Sequence, residues 1–118
     1  MAAVVWLSAC AASVQSVPVA FVAAPGTELS LERDTEVRLP TRYSRLLAQG
    51  SRWRKVGTLP QGDVYRAVGT VFTIEGRNVH EAYLVVSAQR ALVGFYLPGE
   101  SSLSALDAPI PLSLKESP

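Results

Sequence analysis

Residues 27–39 read TELSLERDTEVRL: apolar Leu29 and Leu31 alternate with Glu28, Ser30 and Glu32, the pattern breaks at Arg33-Asp34, and Val37 and Leu39 then alternate with Glu36 and Arg38. A period of two throws successive side chains to opposite faces of a strand, so this stretch has one dry and one wet face and no helical stripe. Its two halves, joined at Arg33-Asp34, are expected to form a β-hairpin. The same reading places further strands at 53–58, 63–68, 71–75, 79–87 and 91–97, with a last one around 110–114. Between them stand the residues that turns require: Pro60-Gln61-Gly62, Gly69, Gly76-Arg77-Asn78, Ser87 to Arg90 and Pro98-Gly99. Seven or eight short strands at near-regular spacing predict a mainly β domain, a small antiparallel barrel or sandwich. With apolar residues at 48% of the chain, a packed core rather than a disordered tail is expected.

The strongest local signal is EAYLVVSAQRALVGFYLP, residues 81–98. Two runs, 82–86 and 91–97, flank a polar loop of hairpin length, and both are nearly continuous in apolar character. That predicts a central hairpin covered on both faces, with Gly94 marking a bend or a close backbone approach. Residues 41–49 are read two ways. Thr41 as a cap and Gly50 as a stop suit one short helix near 41–49, and a strand continuing the preceding hairpin suits the segment equally well.

No charged side chain precedes Glu28, and the one cysteine of the chain, Cys10, lies in that uncharged segment. A membrane-spanning helix needs about 20 continuous apolar residues, and Ser13, Gln15, Ser16 and Pro18 interrupt this one. A secretory signal with a small-residue cleavage site near Ala20 to Ala24 is a second reading, set against Pro25. The third rests on Leu7-Ser8-Ala9-Cys10, which resembles the lipobox of bacterial lipoproteins: an aliphatic residue, two small ones, then cysteine. The resemblance covers only the first ten residues or so. It implies processing to a chain that begins at Cys10 and carries acyl groups there, and two or more acyl chains anchor a protein stably where one does not. Alanine at position 11 implies the outer membrane, facing the periplasm. On that reading residues 1–9 are a remnant signal segment, 10–26 a lipidated tether in which Pro18 to Val22 also suit an edge strand, and 27–118 the β-rich domain.

Charge narrows the partners. A formal net charge of +1 argues against a general nucleic-acid binder. The charge is unevenly spread: Arg38, Arg42, Arg45, Arg52, Arg54 and Lys55 are all positive, and no acidic residue falls between Glu36 and Asp63. With Tyr43 and Trp53 interleaved, this stretch is the candidate binding surface, since arginine beside aromatics is the composition of protein interfaces and of sites for anionic polymers. Its plainer reading is a solvated arginine-rich loop with Trp53 in the core.

Catalytic signals are thin. His80 is the only histidine, HEAYL fails the H-E-x-x-H zinc pattern at Leu84, and no serine has a G-x-S-x-G setting. Glu75 and Glu81 bracket a turn and are expected to face each other across strands, a pair more commonly solvated than catalytic. One cysteine excludes an intramolecular disulfide and a multi-cysteine metal site, and no motif asks for a cofactor. The expectation is a non-enzymatic envelope lipoprotein, held to the membrane by its lipid, that serves as a structural or protein-binding module of an envelope assembly such as a secretion, conjugation or pilus machine. The alternatives are an inhibitor of a cell-wall lytic enzyme, inserting residues 61–63 or 76–80, and a binder of an anionic envelope polymer.

Overall fold

The structure, a computed structural model, describes residues 14–16, 20–21, 27–39, 43–75 and 79–116. It is mainly β and contains no helix among the described residues. The strands are β1 (Val14–Ser16), β2 (Ala20–Phe21), β3 (Glu28–Leu31), β4 (Thr35–Arg38), β5 (Ser44–Leu47), β6 (Arg52–Leu59) and β7 (Gly62–Ala67). They continue as β8 (Thr73–Glu75), β9 (Val79–Glu81), β10 (Tyr83–Val86), β11 (Ala91–Leu97), β12 (Ser102–Pro111) and β13 (Leu114–Glu116). Nine of these form one antiparallel sheet in the order β1-β12-β11-β10-β7-β6-β3-β13, with β2 also on β6, while β4-β5 and β8-β9 are separate two-stranded ribbons. The architecture is sandwich-like rather than a closed barrel.

The central hairpin is where the sequence places it. Leu84 and Val86 of β10, with Leu92, Phe95 and Leu97 of β11, belong to the principal core, and Val85 and Tyr96 belong to a second apolar cluster. Alternating residues of a strand point to opposite faces, so both faces of this hairpin are covered. Gly94 stands at a register shift, and a Cβ there would lie 2.7 Å from the Ser104 carbonyl oxygen. The expected close backbone approach is therefore that of β12.

The principal core is roofed by the ribbons: Val37, Leu39 and Leu47 from the β4-β5 side, and Phe72 and Ile74 from the β8 side, pack on Leu29, Leu31, Trp53 and Tyr65 of the sheet. This arrangement corrects one sequence expectation and decides between the two readings of another segment. The 27–39 stretch is not a hairpin: β3 pairs with β6 and β13, and β4 pairs with β5. At Glu32 to Asp34 the chain leaves one layer for the other, and the Gln49 backbone N–H donates to Asp34 Oδ1 at 2.7 Å to hold that corner. Of the two readings of 41–49, the strand is the one found over the described residues 43–49, and 41 and 42 lie outside them. Ser44 to Leu47 run extended against β4, because alternation buries Leu47 (1% exposed) and leaves Leu46 out (54%).

The ends of the sheet approach each other. β12 pairs with β11, and after only Leu112 and Ser113 the chain pairs with β3 as β13, a link closed by Glu32 N–H donating to the Ser113 carbonyl (2.9 Å) and by the Ser113 hydroxyl donating to Glu32 Oε1 (2.7 Å). The strand from Ser102 goes beyond the sequence pattern, since its serine-rich start carries little apolar signal. Two pieces of the expected tether also join the sheet: β1 lies on Ser102–Ser104 and β2 on Gly57 and Thr58. Cys10 falls outside the described residues.

Candidate functional site

Of the basic stretch the structure describes Arg38, Tyr43, Arg45 and Arg52 to Lys55. Its residues divide between the β4-β5 ribbon and strand β6, and what decides each one's role is the strand alternation. On β6, Trp53 turns inward at 3% exposure while Arg52 and Arg54 turn out. The Trp53 indole N–H donates to the Ser51 hydroxyl at 3.0 Å, and its ring meets Phe72 edge-on with centroids 5.3 Å apart. Trp53 is thus a core residue, as its plainer reading has it. Lys55 is half-buried and pairs with Asp63 at 3.4 Å. Arg38 is exposed opposite Ser44, Tyr43 is exposed, and Arg42 lies outside the described residues.

Arg52 and Arg54 share one carboxylate, Glu28 of β3, at 3.4 and 3.1 Å. Register explains it: Glu28 stands opposite Arg54, and Arg54 stands opposite Arg66 of β7. Sequence reasoning missed both Glu28 and Arg66, because nothing local shows which strand β6 takes as its neighbour. Arg45 sits differently. Its guanidinium lies 4.8 Å from the centroid of Phe72, and its Nε is buried with no hydrogen-bond partner among the described residues. Phe72 in turn stacks on Phe95 at 5.9 Å, so Arg45 rests on an aromatic column rooted in the core.

Two open clefts flank residues 67–71. One, of about 480 Å³, has Arg54 and Arg66 on its wall, and the other, of about 310 Å³, has Arg45 and Arg52 with Trp53 and Phe72 at its base. Gly69 bends the intervening ridge with φ +82°, a left-handed conformation that glycine adopts without strain.

The residues weighed for catalysis are placed as follows. His80 Nδ1 lies 3.2 Å from Glu100 Oε2, tying the β8-β9 ribbon to the turn between β11 and β12. Glu75 pairs in register with Val79 and Glu81 with Thr73, so the two glutamates are diagonal neighbours rather than directly opposed. Asp63, in the first residues of β7, is taken by Lys55. The turn itself is Pro60-Gln61, and a Cβ on Gly62 would collide with the Val86 carbonyl oxygen of the neighbouring strand β10, so Gly62 and Asp63 sit in the sheet rather than on a projecting loop. Among the described residues no group of three or more His, Cys, Asp or Glu is placed to hold a metal ion. No protein-family model matches this chain, and neither a curated protein nor a solved structure matches it.

Proposed function

We propose that this chain is a lipid-anchored module of the bacterial envelope, on the periplasmic side of the outer membrane, and that it binds a protein partner rather than transforming a substrate. The observation that carries the reading is the single cysteine in Leu7-Ser8-Ala9-Cys10 ahead of a β domain. The small compact fold and the arginine clefts beside 67–71 support the binding role. With β1 paired from Val14, three residues separate the anchor from the sheet. At ~3.5 Å per residue the span from Cys10 to Val14 is at most about 14 Å. The β1 edge of the sheet is then held close to the bilayer surface.

The test is intact mass and membrane fractionation of the protein expressed from its own locus. The expected result is a chain starting at Cys10 with acyl groups, in the outer-membrane fraction, and a Cys10→Ala variant that stays unacylated. An unmodified chain beginning at Met1 in the soluble fraction overturns the anchor.

A further inference from the structure

Across β3, β6 and β7 runs the row Glu28, Arg54, Arg66. Like charges directly opposed on neighbouring strands repel, yet the one carboxylate of the row is spent on Arg54 and also on Arg52. Arg66, exposed, is left with the face of the Tyr83 ring at 6.0 Å among the described residues. On the far side of the 67–71 ridge the Arg45 guanidinium lies over the Phe72 ring, and its buried Nε has no acceptor among the described residues. Four arginines thus stand around the two clefts against one glutamate, and Val71, 62% exposed, stands on the ridge common to both.

A guanidinium stacked on an aromatic ring uses its flat face and keeps its N–H edge for a planar oxyanion such as a carboxylate. Held by the stack, it also loses less freedom on binding. We propose that the two clefts and the ridge between them form the binding site for an acidic segment of a protein partner. Carboxylates of the segment reach Arg66 and Arg54 on one side and Arg45 on the other, and an apolar side chain lies against Val71. A membrane surface or nucleic acid is the weaker fit: attraction to a broad anionic surface grows with total basic charge, and the whole chain carries only +1. The site rests on the reading of the chain as a binding module and is independent of the lipid anchor.

The test uses the full chain in solution, titrated with a fluorescent ten-residue peptide of alternating glutamate and leucine, with its glutamine counterpart as control and phosphatidylglycerol vesicles as a third arm. Saturable binding of the glutamate peptide alone is expected, together with movement of the Arg45 Nε–Hε NMR signal. Loss of a charge-assisted hydrogen bond corresponds to roughly tenfold weaker binding, and that loss is expected for Arg66→Gln, an exposed position that leaves the fold intact. Lys115→Gln, which lines neither cleft, is expected to bind as the parent. The proposal is overturned if both peptides bind alike, if neither binds, if Arg66→Gln and a folded Arg45→Gln both bind as the parent does, or if the arginine dependence appears with vesicles and not with the peptide. A chain that binds the peptide but carries no acyl group removes the anchor and leaves this site standing, and the converse result does the opposite.

Discussion

Tyr65 lies in the principal core at 7% exposure, and burial, reinforced by the nearby Asp63 carboxylate, pushes its hydroxyl above the ordinary 10.0, with Arg90 pulling the other way. Tyr83 is pushed up for the same first reason, burial, with Glu81 adding to it. The unfolded chain releases these protons first, so their contribution to stability is complete below pH 10 and is lost as pH rises through the raised values. Denaturant unfolding between pH 8 and pH 11 should therefore show stability falling at the alkaline end. Tyr65→Phe should reduce that fall, and an unchanged alkaline loss in the variant would contradict the burial argument. Individual residues are unevenly legible in the sequence. Gly94 is legible because a glycine inside a strong strand pattern costs pairing and packing unless a bend or a close neighbour needs it. Arg66 carries no mark of its own: one arginine on one strand becomes notable only when the register sets Arg54 opposite it.

β5 shows how an element is decided. Residues 41–49 contain adjacent leucines and suit a helix or a strand by local pattern, and what settles the matter is that β4 needs a partner and the core needs one leucine rather than both. Leu47 is buried and Leu46 is not. Leu47→Ala should cost about 2–5 kcal/mol, whereas Leu46→Ala should stay within about 0.5 kcal/mol. Urea midpoints of the two variants check this directly, and equal costs would mean the ribbon does not seat as described. A similar logic governs Glu28 at the start of β3. Its ion pairs with Arg52 and Arg54 involve guanidinium groups that are about half exposed, so they order the arginines far more than they stabilise the fold.

At the scale of the whole molecule, the pairings that complete the fold join distant parts of the chain: β13 with β3, and β1 with β12. Such long closures must form before they are rewarded, so folding is expected on the scale of roughly milliseconds to seconds. Stopped-flow refolding reads this, and a microsecond phase that recovers the full native signal would contradict it. Local pattern was enough for the β class, the turns at Pro60-Gln61, Ser87 to Arg90 and Pro98-Gly99, the doubly covered hairpin of β10 and β11, and the core positions Leu29, Leu31, Val37 and Leu39, while the expected turn at 76–78 lies outside the described residues. These follow from side-chain alternation and turn chemistry, both of which act over a few residues. It took the assembled fold to show that β3 and β4 part company, that 44–47 is a strand, that Trp53 roots an aromatic column, and that Arg45 and Arg66 stand beside two clefts while Glu28 serves Arg52 and Arg54. The difference is one of range: a period of two fixes which face a side chain takes, whereas the neighbour it meets is chosen by pairing between segments far apart in the chain.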